Sequence, residues 1–99
     1  MEIKILEENG SKLVVLNGRL DTMTSPALET AALQLIEAGK TLVFECENLV
    51  YISSAGLRVV LSISKQCATS GGRFVARNLN KEVRSVFDMT GFSRLINIE

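Results

Sequence analysis

The chain contains no histidine. That removes the side chain most used as a general base and metal ligand, and any relay through phosphohistidine. Cysteine is scarce, with two in 99 residues, so the disulfide framework of a small secreted domain is not expected. Cys46 closes an apolar strand and Cys67 lies on a helix face, and both read as small buried hydrophobes. Neither zinc-ligand spacing, a Walker phosphate loop nor a dinucleotide glycine fingerprint occurs. Charge of one sign is lacking too: eleven basic residues balance eleven acidic ones without a basic cluster, which argues against capture of nucleic acid or an anionic membrane. No apolar run approaches the ~20 residues that span a bilayer. Met1-Glu2-Ile3-Lys4 lacks the basic flank and apolar block of a signal peptide. These absences predict a cytoplasmic chain that is not an enzyme by itself and uses no cofactor or metal.

What is present suits one ordinary globular domain over residues 1–99, at 46% hydrophobic and 22% charged. Ile3 and Ile5 alternate with Glu2 and Lys4 as in a half-buried strand, and Asn9-Gly10 marks a hairpin turn. Leu13–Leu16 is a continuous apolar run that reads as a strand covered on both faces. Thr24-Ser25-Pro26 predicts a helix with Ser25 as N-cap and Pro26 at the first helical position, closing at Gly39. Leu42–Cys46 is a further strand, and Glu47-Asn48 reads as a turn. A fourth strand over Arg73–Arg77, a helix capped by Asn80 and ending at Gly91, and a terminal strand over Leu95–Ile98 complete the order. Alternating β and α units of this length predict an α/β domain, a mixed four- to five-stranded sheet with helices packed on it.

One stretch offers a chemical handle. From Leu49 to Leu61 an apolar run gives way to Ser53, Ser54, Ala55 and Gly56, and a helix-period pattern follows. A serine then stands at an open helix end, where unpaired N–H groups and the dipole favour anions. Taken alone, such a serine is an N-cap contributing about 1 kcal/mol. Gly56 inside the helix needs a steric reason, either close approach of a partner or packing on a neighbouring strand.

Three segments together resemble the STAS family of bacterial anti-sigma factor antagonists. They are Leu16-Asn17-Gly18-Arg19-Leu20-Asp21, Ile52-Ser53-Ser54-Ala55-Gly56-Leu57 and Val86-Phe87-Asp88-Met89-Thr90-Gly91-Phe92. Their order and spacing span nearly the whole chain. The resemblance implies a protein that, unphosphorylated, binds an anti-sigma factor serine kinase and so frees the sigma factor. Phosphorylation by that kinase would end the binding, and a PP2C-type phosphatase would restore it. By register the acceptor is Ser54. The family usually carries Asp at the preceding position, where this chain has Ser53, a second candidate acceptor. The resemblance also implies a partner surface of Asp21, Thr22, Met23, Ser53, Ala55, Gly56 and Arg58 on a monomer. An exposed Met23 suits an adaptable interface, and Arg58 on the polar helix side would pair with acidic groups of the partner. Two other functions are held against this one. A STAS module could be a constitutive interaction subunit of a larger complex, such as a lipid-transport ATPase, with Ser54 only a cap. A nucleotide-binding module is more distant, for want of a phosphate loop.

Overall fold

The Asn9-Gly10 hairpin sets the register of the first two strands. In the computed structural model, which describes residues 1–99, both turn residues have positive φ, 52° and 82°, as a two-residue hairpin turn requires. They join β1 (Glu2–Glu8) to β2 (Ser11–Leu20) in an antiparallel pair. The chain then crosses through helix α1 (Ser25–Leu33) to β3 (Thr41–Ile52), and through α2 (Ser54–Thr69) to β4 (Arg73–Arg77). Both crossovers make parallel pairs, giving a four-stranded mixed sheet in the order β1-β2-β3-β4. Helix α3 (Lys81–Met89) and a 3-10 turn (Phe92–Arg94) follow. The fold is thus the expected small α/β domain. No helix is long and apolar enough to cross a membrane.

Register fixes which side chains meet the helices. Val14 and Leu16 of β2, Leu42 and Phe44 of β3, and Phe74 and Ala76 of β4 share one face. They form a single core with Leu28 and Ala32 of α1, Leu57, Val60, Ile63 and Cys67 of α2, and Val83 and Phe87 of α3. Phe44 and Phe74 meet edge to face at 4.8 Å. The opposite face carries no helix, which corrects the expectation that Leu13–Leu16 is covered on both sides. Leu13 and Val75 are nevertheless buried there, beneath Arg77, whose guanidinium reaches from β4 to Glu45 on β3 (2.8 Å) and to Glu8 on β1 (3.1 Å). Both cysteines are buried and free. Burial, and then the neighbouring Glu45, push the Cys46 thiol up to about 12.

Four other expectations are corrected by backbone detail. Helix α1 ends at Leu33 rather than Gly39, because the next amides bond three residues back: Leu35 N–H donates to Ala32 O at 3.0 Å. Its N-cap is Thr24, not Ser25. The Ser25 hydroxyl instead donates backwards to Asp21 O, and the residue is buried. Glu47-Asn48 is not a turn but part of β3, where the strand bulges. Val15 pairs with Glu45 and Asn17 with Asn48, so β3 gains a residue there, and it gains another between Leu49 and Tyr51. The inward positions accordingly run Phe44, Cys46, Leu49 and Ile52, stretching from a spacing of two to one of three. The terminal strand shrinks to one bridge between Ala76 and Ile98.

Candidate functional site

Strands β2 and β3 are parallel and end side by side, with Leu20 opposite Ile52. The Ser53 N–H donates to Leu20 O at 2.9 Å, which ties the two exits together. The loop after β2 and the first turn of α2 therefore share one edge of the sheet, at the carboxyl ends of parallel strands where α/β domains commonly build sites.

The two serines divide the roles that the sequence left open between them. Ser53 is extended, φ −91° and ψ 174°, and is the N-cap of α2. Its Oγ accepts the Gly56 N–H at 3.2 Å, satisfying one of the amides that a helix start leaves orphaned. Ser54 is the first helical residue. It is exposed, and its hydroxyl enters no hydrogen bond within the chain. The expectation that Ser54 itself would cap the helix is corrected: the chain turns one residue earlier, and the hydroxyl at 54 is left free.

Beside it, the Asp21 loop is tightly knotted. Asp21 Oδ1 accepts the N–H groups of Met23 (3.0 Å) and Thr24 (3.1 Å), an Asx-type turn. The Thr24 hydroxyl accepts the Asp21 N–H at 2.9 Å and donates to Arg19 O at 2.8 Å. The Thr24 amide chiefly, with Met23 and the more distant Arg19 helping against partial burial, holds the Asp21 carboxyl below its ordinary value. Arg19 stands 3.9 Å from Asp21 Oδ2 and lies over the Tyr51 ring, 4.1 Å from its centre. Asp21 thus spends one carboxylate oxygen on its own loop, and that loop presents Thr22 and Met23 outward. Met23 is 87% exposed.

Gly56 is the expected surface residue that does not reach the surface. It is buried, and a Cβ on it would lie 2.8 Å from both Leu20 Cγ and Leu20 O, and 3.0 Å from Ile52 Cγ1. Packing on the strand ends is the reason for glycine, and close approach by a partner is not needed to explain it. Ala55 and Arg58, by contrast, line an open cleft of about 340 Å³ between the starts of α1 and α2, together with Thr22, Ser25, Pro26, Glu29 and Val59. Arg58 and Glu29 make no ion pair within the chain. Asp21, Thr22, Met23, Ser53, Ser54, Ala55 and Arg58 are thus gathered at one end of the domain. Glu29, Tyr51 and Arg19 join them without having been expected. Arg19, two residues before Asp21, and Tyr51, two before Ser53, could have been suspected from sequence, whereas Glu29 arrives only through helix packing.

The arrangement sets an unbonded hydroxyl at a helix start beside a cation one turn further on and a hydrogen-bonded acidic loop. The sequence model of a family described as the STAS domain matches residues 2–99. BtrV of Bordetella bronchiseptica, which bears a provisional name as an anti-sigma factor antagonist, is 33% identical over 93 residues, covering 93% of this chain and 80% of BtrV. The anti-sigma-B factor antagonist of Bacillus subtilis is 26% identical over 98 residues, covering 99% of this chain and 90% of that protein. Among solved structures, the anti-sigma factor antagonist SpoIIAA shares the fold, with a TM-score of 0.70 and 19% identity in its unphosphorylated form, over 99% of this chain and 87% of SpoIIAA. The phosphorylated form of SpoIIAA, from Bacillus, gives the same TM-score at 20% identity, over 99% of this chain and 91% of SpoIIAA.

Proposed function

The chain belongs to the STAS domain family, and on that footing we propose that it is an anti-sigma factor antagonist governed by phosphorylation of Ser54. Unphosphorylated, it binds an anti-sigma factor that is also a serine kinase, and the sigma factor is released. The kinase transfers the γ-phosphoryl group of its ATP to Ser54 Oγ, ADP leaves, and the modified antagonist lets go. A PP2C-type phosphatase hydrolyses the phosphoserine and restores binding. The chain itself is the substrate in both reactions.

The observation that carries this reading is the separation of the two serines. Had Ser54 been the cap, its oxygen would be occupied and its modification would break the helix start. With Ser53 bonded to Gly56, Ser54 is free to react at no structural cost. A phosphate of charge about −1.5 to −2 at the first helical position meets a favourable dipole, so the domain stays folded. The added charge instead acts on whatever rests on Thr22, Met23, Ala55 and Arg58. Ser in place of the family's usual Asp at position 53 keeps the capping function, since both side chains are good N-caps. The names of BtrV and the Bacillus subtilis relative support the antagonist reading, and the existence of SpoIIAA in two phosphorylation states supports the switch.

The test is incubation with the cognate kinase and ATP, followed by mass spectrometry on the wild type, Ser54→Ala and Ser53→Ala. Phosphate is expected on the wild type and Ser53→Ala and not on Ser54→Ala. An active kinase that labels neither serine would remove the switch. Ser54→Asp is expected to lose kinase binding. Unchanged binding would point to a constitutive interaction subunit instead.

A further inference from the structure

Strand β1 is an outer strand of the sheet. Its only strand neighbour is β2, so one row of its N–H and C=O groups faces no strand. Natural sheets usually blunt such an edge with a bulge, a proline, a covering segment or inward charge. β1 has no proline, and its seven register pairs, from Glu2–Asn17 to Glu8–Ser11, run without a shift. It also exposes large apolar side chains on both faces: Ile5, 48% exposed, beside Val14 on the helix face, and Leu6, 51% exposed, beside Leu13 on the open face. Lys4 is the one charged guard in the middle of the strand, and it makes no ion pair.

The charge order along β1 selects an occupant. We propose that β1 pairs antiparallel with β1 of a second copy of this chain, about a two-fold axis through Leu6, to form a dimer with one continuous sheet. An axis perpendicular to the sheet keeps the helices of both copies on the same side and opposes residues of like parity. Four such registers place the axis within Lys4–Glu7. With the axis on Lys4, two lysines face each other. With it on Ile5, each Glu2 faces the partner's Glu8, and with it on Glu7, two glutamates meet. Like charges directly opposite are destabilising. Of these four, only the register centred on Leu6 opposes none. An axis on Ile3 also opposes none, but it overlaps only Glu2–Lys4 within the strands, against Lys4–Glu8 for the axis on Leu6. The Leu6 axis sets Leu6 against the partner's Leu6 and Lys4 against the partner's Glu8, twice over by symmetry. Ile5 then lies opposite the partner's Glu7, whose charge is already met within its own chain by Lys12 at 2.6 Å. Glu8 already accepts from Arg77 at 3.1 and 3.4 Å, and a carboxylate has acceptor capacity left for a lysine. The unpaired Lys4, the exposed Leu6 and the open row of backbone groups are all used by this one arrangement.

The test is sedimentation equilibrium on the wild type, Lys4→Glu and Glu8→Lys over a dilution series reaching about 1 mM, with thermal melts showing that each variant is folded. The wild type is expected to approach twice the 10.8 kDa chain mass. Each variant alone sets like charges opposite each other in both symmetric contacts, so its dissociation constant should rise about tenfold or more. An equimolar mixture of the two variants restores opposite charges in both contacts and should dimerise again. A wild type that stays at chain mass throughout the series would overturn the proposal. So would a dimer indifferent to Lys4→Glu, or a mixture no tighter than its components.

Discussion

Gly56 rests on Leu20 so closely that a methyl group in place of its hydrogen would stand 2.8 Å from the Leu20 carbonyl oxygen. The same oxygen accepts the Ser53 N–H at 2.9 Å, so it cannot retreat without loosening the tie between the two strand exits. Gly56→Ala should therefore destabilise the domain by about 1–3 kcal/mol through overpacking, despite alanine's better helix propensity. Urea unfolding monitored by circular dichroism measures it. A variant as stable as the wild type would show that α2 can shift away at little cost.

The division between the adjacent serines predicts opposite sensitivities. Ser53→Ala removes the cap and should cost about 1 kcal/mol, whereas Ser53→Asp should fall within about 0.5 kcal/mol of the wild type. Ser54→Ala removes a hydroxyl with no partner and should also change stability by less than about 0.5 kcal/mol. Denaturation midpoints of the three variants decide the matter, and a larger loss at Ser54 than at Ser53 would reverse the assignment of the cap.

Asp21 gives the loop beside Ser54 a pH dependence. Its folded-state value lies below the ordinary one, so its ionised form contributes stability that is complete above about pH 4 and is lost as the pH falls through the folded-state value. Asn at this position can still accept the Met23 and Thr24 amides but carries no charge. The gap in thermal midpoint between wild type and Asp21→Asn should hold steady from about pH 7 to about pH 5 and close below about pH 4. A gap that persists into acid would mean that the charge is not what distinguishes them.

Arg58 is exposed and unpaired on the polar side of α2. Arg58→Ala should leave stability within about 0.5 kcal/mol and weaken binding of the proposed anti-sigma factor kinase by about 1–2 kcal/mol, roughly tenfold. Calorimetric titration with the kinase checks this. Equal affinity would place the partner's footprint on the Met23 side of Ser54 rather than in the cleft beside Glu29.

Much of the architecture was legible because it is written locally. Asn9-Gly10 can make only a few turns, and Asn80 caps α3 as its position suggests, its Oδ1 accepting the Val83 N–H at 2.8 Å. The end of α1 was not legible, since Gln34 and Leu35 are good helix residues and only the switch to tighter hydrogen bonding stops them. Glu47-Asn48 looked like a turn because two polar residues interrupt an apolar pattern, and a bulge in a strand produces the same interruption. The candidate site shows the same limit more sharply. Two neighbouring serines have identical chemistry, and the backbone angles of Ser53 decide which of them caps. Gly56 takes its meaning from Leu20, distant in sequence, and Glu29 reaches the cleft that Arg58 also lines only through the packing of α1 beside α2.

The two bulges of β3 also work as a vernier. Residues 42–52 of β3 run alongside only residues 12–20 of β2, so the strand carries slack that its neighbour lacks. Where α2 begins, and hence where the hydroxyl of Ser54 stands relative to Asp21, depends on how many residues are spent in that slack. Removing one residue at Glu47 or Asn48 would leave an alternating strand with Leu49 still directed inward, yet it would draw the helix start back along the sheet. The placement of the Ser54 hydroxyl is therefore metered by chain length upstream of it, in a segment that does not touch it.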